Sequence, residues 1–144
     1  MKSGNLLCAA MLLALAGCAA TPRAGMQTQP KATQKAAACH GQHCEINVTV
    51  TNCVVRVDPY FIVMTGPGPV TMTWKIVDST ATFPADAIRW KTQGAGQVFK
   101  PGHGGPRVVT VVNNLSRLGV FHYGVTVVEG ANTCPELDPT GIND

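Results

Sequence analysis

Charged side chains are scarce in this chain, and the patterns that usually indicate a catalytic site are missing. Asp, Glu, Lys and Arg make up 13% of its 144 residues, and aromatic residues make up 6%. No apolar run reaches the roughly 20 residues that a permanent membrane-spanning helix needs. The sequence has no helical period, and neither Ser79 nor Ser116 has the Gly-x-Ser-x-Gly surroundings of an activated nucleophile. A helical domain and an enzyme are therefore not expected.

The few charges are distributed unevenly along the chain. Residues 18–38 carry three basic groups and no acidic one, a formal charge of +3. Residues 39–144 carry seven basic and eight acidic groups, a formal charge of −1. A nucleic-acid-binding domain concentrates positive charge on its folded surface, so this distribution predicts no nucleic-acid partner. The basic segment is expected to be a solvated linker, with contact to anionic lipid or cell-wall polymer as the alternative.

The first 20 residues have the pattern of a secretory signal. Lys2 supplies a positive charge, and an apolar run from Leu6 to Ala20 ends in small residues. The segment Leu15-Ala16-Gly17-Cys18 resembles the lipobox of bacterial lipoproteins, the substrates of signal peptidase II. The resemblance implies that residues 1–17 are removed and that Cys18 is lipidated.

The same resemblance predicts where the protein is held. In lipoproteins of enteric bacteria, an aspartate after the lipidated cysteine marks retention in the inner membrane. Ala19 stands at that position here. The resemblance therefore implies a lipid anchor in the bacterial outer membrane, on the periplasmic face.

The mature chain is expected to have two parts. Residues 18–43 contain mainly small and polar residues without a hydrophobic period, which predicts a flexible, basic, lipidated linker. About 20 flexible residues give a root-mean-square reach of roughly 25 Å. Residues 44–144 are predicted to form one β-sandwich domain.

Alternation of apolar and polar residues dominates the second part. Val70, Met72, Trp74 and Ile76 alternate with Thr71, Thr73 and Lys75, the clearest amphipathic strand in the chain. About seven such strands with turn signals between them predict an all-β, antiparallel β-sandwich. In such a sheet one face meets the core and the other meets water.

The segment from Gly119 to Val125 resembles the late strand of immunoglobulin-like and cupredoxin-like sandwiches. In cupredoxins this strand delivers a cysteine to copper, and histidine and often methionine follow. Val125 occupies the cysteine position, and no His or Met follows it. A blue-copper centre requires a His₂Cys set, so the resemblance extends to the fold without the copper ligands.

A second metal hypothesis concerns the segment Cys39-His40-Gly41-Gln42-His43-Cys44. Zinc accepts Cys₂His₂ sets, but neighbouring residues rarely converge on one ion. An exported chain also meets an oxidising compartment, where thiols form disulfides. His40 and His43 are therefore only weak metal candidates, and no cofactor is predicted.

Cysteine arithmetic favours two disulfides. Cys8 leaves with the signal and Cys18 is lipidated, so four cysteines remain: Cys39, Cys44, Cys53 and Cys134. The preferred pairing is Cys39–Cys44 with Cys53–Cys134, and Cys44–Cys53 with Cys39–Cys134 stays open as the rival. Closing a loop of about 80 residues contributes roughly 4 kcal/mol in the chain-entropy model.

No other residue assembles into a chemical site at this level. His103 lies in a glycine-rich segment expected to be a loop, and His122 is expected on a sheet surface. Trp74 and Trp90 are expected in the core, Trp90 with less support because Arg89 and Lys91 flank it. The chain is therefore predicted to be a non-catalytic binding or structural module, with an envelope protein or cell-wall polymer as its partner. The alternative is a periplasmic copper- or zinc-binding protein using residues 39–44.

Overall fold

The computed structural model describes residues 25–144. The predicted signal peptide and the predicted lipidation site Cys18 lie outside the described residues. Within residues 25–144, the helices are all too short or too polar to traverse a bilayer.

The described chain is built almost wholly from strands. Their bounds in chain order are β1 Ala36–His40, β2 His43–Thr51, β3 Val54–Asp58, β4 Phe61–Thr65, β5 Val70–Ile76, β6 Ile88–Trp90, β7 Phe99–Gly105, β8 Val108–Asn113, β9 Gly119–Val125, β10 Val128–Glu129, β11 Asn132–Thr133 and β12 Thr140–Asn143. A 3₁₀ turn at Lys31–Thr33 and a one-turn helix α1 at Ala95–Val98 complete the described secondary structure.

Two five-stranded sheets face each other, which confirms the predicted all-β sandwich. Sheet I has the spatial order β1-β4-β12-β9-β6, and sheet II has the order β3-β2-β5-β8-β7. Strands β10 and β11 form a separate small hairpin. The sheets are mixed where antiparallel pairing was expected: β4 runs parallel to β1 and β12, and β2 runs parallel to β5. The chain changes sheet between β1 and β2. Strand β1 then pairs in parallel with the later strand β4, and β2 pairs in parallel with the later strand β5.

The core consists of the inward faces of both sheets. The alternation predicted for β5 is confirmed, since Met72, Trp74 and Ile76 are buried and Thr71 and Thr73 are half-buried. Sheet I contributes Ile62 and Met64 from β4 and Phe121 and Tyr123 from β9, all at most 1% exposed. The period-two pattern therefore predicted β5 correctly.

Strands β2 and β3 are joined by a two-residue hairpin turn. Thr51 pairs with Val54, and Asn52 and Cys53 have φ values of 51° and 59°. Positive φ at both central residues is the signature of a type I′ turn, whose twist matches that of the flanking strands. Asn tolerates this conformation well. Cys53 is held there by a disulfide and by Glu129, which accepts its N–H at 2.6 Å.

Both preferred disulfides are present. Cys39–Cys44 spans the bend where the chain passes from sheet I to sheet II, with Cα atoms 5.3 Å apart. Cys53–Cys134 ties the β2–β3 turn to the segment that leads into β12, across 81 residues of sequence. The Cys53–Cys134 disulfide thus connects an early segment of the domain with a late one.

The predicted boundary at residue 44 lies too far along the chain. Strand β1 falls inside the expected linker and pairs with β4 from Ala36 to His40. Further upstream, Gln27 donates its N–H to the carbonyl of Glu136 at 2.6 Å, and Gln29 is buried. These polar and small residues lack an apolar period because their backbones and amides, not large side chains, hold them to the sandwich.

Two glycine-containing segments also form strands. The glycine-rich segment around His103, expected to be a loop, lies within β7, which pairs with β8 with a shift in register between Pro101 and Gly104. Strand β12, near the end of the chain, lies in the middle of sheet I. Gly141 lies opposite Phe121 in that strand, where a Cβ would come within 3.3 Å of the Met64 side chain. Glycine leaves room for Met64 there, and it gives the sequence no strand signal.

Candidate ligand-binding cleft

An apolar cleft opens on one side of the sandwich, where the edge strands β6 and β7 of the two sheets lie across from each other. Its volume is about 590 Å³. That volume lies within the range of pockets that hold small ligands. The lining residues are Phe83, Pro84, Ala85, Ile88, Trp90, Gly96, Phe99, Pro101, Gly102, Gly104, Gly105, Val109, Thr110 and Val111.

An aromatic pair forms the floor of the cleft. Trp90 pairs with Tyr123 across the β6–β9 ladder, which turns its ring toward the interior of the sandwich. The rings of Trp90 and Phe99 stack with centroids 3.4 Å apart and planes 10° apart. Phe99 is 2% exposed, whereas Trp90 is half-buried and reaches solvent. A ligand in the cleft would therefore meet Trp90 first.

The aromatic pair is continuous with the core. Phe99 meets Phe121 edge-on at 5.0 Å, and Trp90 lies 5.0 Å from Tyr123. Tyr123 in turn meets Trp74 edge-on at 5.5 Å. Complete burial raises the pKa of Tyr123. This packing holds the floor of the cleft in one geometry, because neighbouring rings fix both members of the exposed stack.

Strand β7 forms one wall of the cleft almost entirely from backbone. A Cβ at Gly102 would overlap the hydroxyl of Thr110 on β8, so only glycine fits the observed approach of the two strands. Gly104 and Gly105 continue the same wall. The wall is thin and smooth because three of its residues carry no side chain.

The chemistry of the cleft is that of apolar binding. None of the described residues that line it is charged, and Thr110 supplies the sole side-chain hydroxyl. Burial of apolar surface stabilises a complex by about 25 cal/mol per Å². Aromatic stacking adds ~0.5–1.5 kcal/mol per pair. The lining contains none of the groups that general acid–base or nucleophilic catalysis uses.

Ionisable groups cluster elsewhere, where the chain leading to β12 crosses β6. Glu136 accepts hydrogen bonds from Arg89 at 3.1 and 3.2 Å and lies 2.7 Å from the ammonium of Lys91. Lys91 also reaches Asp138 at 3.1 Å, and the Tyr60 hydroxyl donates to the Asp138 carbonyl at 2.6 Å.

The charges in this cluster are mutually compensated. Partial burial opposes ionisation of Glu136, but the hydrogen bonds from Lys91 and Arg89 outweigh it and lower its pKa. Burial likewise opposes the charge on Lys91, and its bonds to Glu136 and Asp138 raise its pKa. Burial, and then the charge of Asp138, raise the pKa of Tyr60. Glu136 and Lys91 are thereby held in their charged forms and Tyr60 in its neutral form, which suits a clamp between elements and not proton transfer at neutral pH.

The structure removes both cysteines from the candidate metal set. Cys39 and Cys44 are bonded to each other, which removes both thiolates as ligands. His40 ends β1, and His43 begins β2 with an exposed side chain. Among the described side chains, Cys53, Glu129 and Cys134 place three potential metal-ligand atoms close together. The two cysteines form a disulfide, so their sulfurs are not thiolate ligands.

The remaining predicted residues fall as follows. Trp74 is fully buried in the core, and His122 is exposed on sheet I with its Nδ1 3.3 Å from the Thr140 hydroxyl. Trp90, the less secure core assignment, lies half in the core and half in the cleft.

Sequence reasoning did not find the cleft itself. Its two sides come from β6 and β7, which become opposing edges only through the order of strands in the two sheets. The available signal was Trp90 between two charged residues, a sign of an aromatic near the surface. Neither the comparison with protein-family models nor the comparison with curated proteins gave a match for this chain.

Proposed function

We propose that this protein is a non-catalytic binding module of the bacterial cell envelope, which takes an uncharged apolar or aromatic ligand group in the cleft between β6 and β7. The observation that carries the proposal is the solvent-reachable Trp90–Phe99 stack at the floor of a cleft without charged lining. Large, preformed apolar pockets with fixed aromatic rings are the usual form of a small-molecule site.

The proposed position is a lipid anchor at Cys18 in the outer membrane, facing the periplasm. The lipobox-like segment Leu15-Ala16-Gly17-Cys18 and the residue Ala19 after it support this proposal. The two disulfides fit a compartment in which thiols are oxidised. An envelope protein or cell-wall component that presents an apolar group is the partner of matching chemistry.

The magnitude of binding follows from the size of the cleft. A ligand that buries about 200 Å² of its apolar surface in the cleft gains ~5 kcal/mol from that burial. Stacking on Trp90 adds up to ~1.5 kcal/mol. The two terms together correspond to a Kd of roughly 20 μM, and loss of translational and rotational freedom weakens binding further, so high-micromolar to millimolar affinity is expected for a small probe.

Titration of the mature chain with the uncharged fluorophore N-phenyl-1-naphthylamine tests the cleft. The probe is expected to become brighter on binding and to quench Trp90, and Trp90→Ala is expected to weaken binding at least about tenfold, since ~1.4 kcal/mol is a factor of ten. The matched control is Val120→Ala, which shortens an exposed apolar side chain on the outer face of sheet I, away from the cleft. Equal probe binding by wild type and Trp90→Ala would contradict the proposal, provided that circular dichroism shows both to be folded.

A further inference from the structure

The four edges of the two sheets are not protected equally. An uncovered edge strand presents unpaired N–H and C=O groups to which another strand can add, and natural proteins block such edges. The edges here are β1 and β6 of sheet I and β3 and β7 of sheet II.

Three of these edges carry recognisable protection. The outward N–H groups of Val55 and Val57 on β3 donate to the side-chain amides of Gln27 and Gln29 at 2.9 and 3.0 Å. Strand β7 contains Pro101 and a shift in register, both of which obstruct an added strand. Strand β6 is three residues long, shorter than most strands that pair stably.

Strand β1 has none of these devices among the described residues. It contains no proline and no Asp, Glu, Lys or Arg, and Ala36, Ala37 and Ala38 are all exposed. Ala37 lies opposite Ile62 and so shares the face that points toward the other sheet, yet it is exposed. Within residues 25–144, nothing therefore covers the open edge of β1 or the inward-facing side chain of Ala37.

The free hydrogen-bonding groups of β1 can be assigned. The carbonyl of Lys35 points toward β4, since it accepts the N–H groups of Tyr60 and Phe61 at 2.8 and 2.9 Å. Backbone groups alternate in direction along a strand, so those of Ala36, Ala38 and His40 point away from β4. Three residues thus offer an N–H and a C=O each on the open side.

We infer that β1 pairs with β1 of a second copy of this chain, antiparallel and centred on Ala38. In that register Ala38 faces Ala38 of the other copy, and Ala36 faces His40. All outward groups find partners, and the contact is isologous and closes as a two-fold dimer. The proposal goes beyond the proposed function and does not depend on it.

The charges near the edge do not oppose a second copy. Lys35 is engaged by Asp58 at 3.1 Å. In the antiparallel register the two Lys35 residues lie six residues apart along the ladder, about 20 Å. That separation exceeds the screening length of about 8 Å at physiological salt, so repulsion between them is small.

The side chains of β1 also select against a foreign peptide. Strand addition obtains its specificity from pockets that hold alternate side chains of the added strand. Ala36 and Ala38 line neither of the two described pockets, and their small, exposed side chains do not obstruct an identical strand. The pairing would join two five-stranded sheets into one of ten strands.

Charge complementation between copies tests the register. Two differently tagged full-length copies are produced together, and one is captured from a detergent lysate of whole cells. Wild-type copies are expected to co-purify. Ala38→Lys in both copies, or Ala38→Glu in both, is expected to reduce co-purification at least about tenfold, because like charges face each other at the two-fold axis. One copy of each variant is expected to restore it.

Val54→Lys provides the matched control, since Val54 is also an exposed edge residue but lies on the protected strand β3. It is expected to co-purify as wild type does. Ala38 is exposed, so both charged variants are expected to keep the wild-type near-ultraviolet circular dichroism. Failure of wild-type copies to co-purify, or failure of the Lys and Glu variants to recover together, would overturn the proposal.

Discussion

At the scale of single residues, the position of the Glu136 side chain is fixed by contacts from several directions. Its carboxylate occupies the space above Gly124, where a Cβ would overlap it, and it receives both Arg89 and Lys91. Arg89 lies opposite Gly124 in the β6–β9 ladder. The absence of a side chain at Gly124 therefore leaves room for the Glu136 carboxylate. That carboxylate connects the segment before β12 to β6.

This arrangement makes stability depend on pH in a defined direction. The pKa of Glu136 lies below its usual 4.5 in the folded state, so the folded state favours the ionised form. Its contribution is complete above about pH 4.5 and is lost as pH falls through the folded-state pKa. Glu136→Gln is expected to lower the free energy of unfolding at pH 7 by ~1–2 kcal/mol and to flatten the decline below about pH 4.5.

Urea unfolding monitored by fluorescence between neutral pH and about pH 3 measures this effect. Arg89→Gln is the control: the Arg89 side chain is 66% exposed, so its loss is expected to cost less than ~0.5 kcal/mol. A Glu136→Gln variant whose stability falls with acid as steeply as that of the wild type would show that another group controls this pH range.

At the scale of elements, the segment before β1 takes the place of a neighbouring strand along the edge of β3. Gln27 accepts from Val55 and donates to the Cys53 carbonyl at 2.5 Å, and Gln29 accepts from Val57. Two side-chain amides thus satisfy the groups that a neighbouring strand would otherwise take. The consequence is that β3 ends sheet II without an open edge.

Removing this cap is expected to expose the edge. In the double variant Gln27→Ala/Gln29→Ala, two N–H groups lose their partners, which costs ~1 kcal/mol per hydrogen bond and promotes association of β3 edges. Chemical unfolding measures the first effect, and light scattering on mild heating measures the second. Gln42→Ala, at the exposed bend between β1 and β2, is the control. Equal scattering by the double variant and the control would argue against capping.

The elements also show what the sequence could and could not predict. Strands β2, β5 and β9 carry period-two alternation because each has one buried face, and all three were predicted. Strand β7 was read as a loop because glycine and proline fill it, although the glycine at 102 is required by contact with β8. Strand β12 was missed because it is short and carries glycine and asparagine at its buried positions.

The candidate cleft was beyond prediction for a topological reason. Trp90 could be identified as an unusual aromatic, but its neighbour Phe99 was placed in a separate short strand. The two rings meet because β6 ends sheet I on the same side on which β7 ends sheet II. The order of strands is a long-range property that local patterns do not contain.

At the scale of the whole molecule, the two sheets are joined covalently as well as by packing. Cys53 belongs to the turn that begins sheet II's edge strand β3, and Cys134 precedes the central strand β12 of sheet I. Cys39 and Cys44 join β1 of sheet I to β2 of sheet II. Separation of the sheets is therefore opposed at both ends of the domain.

The proposed membrane attachment concerns the whole molecule and has a direct test. Cys18→Ser is expected to move the protein from the membrane pellet to the soluble fraction, because the acylated thiol is the proposed anchor. Cys8→Ser is the control, since Cys8 belongs to the segment expected to be removed. Intact mass reports the modification: an unmodified amino terminus, or a retained leader, in native material would refute the anchor.

Docking of Gln27 against the sandwich limits how far the domain could move from an acylated Cys18. Nine residue steps separate Cys18 from Gln27, and a chain of that length spans no more than about 30 Å in any conformation. With Cys18 acylated, Gln27 would stay within about 30 Å of the lipid anchor, and the sandwich would be held with it. A ligand far from the membrane would then have to approach that surface before it could contact Trp90.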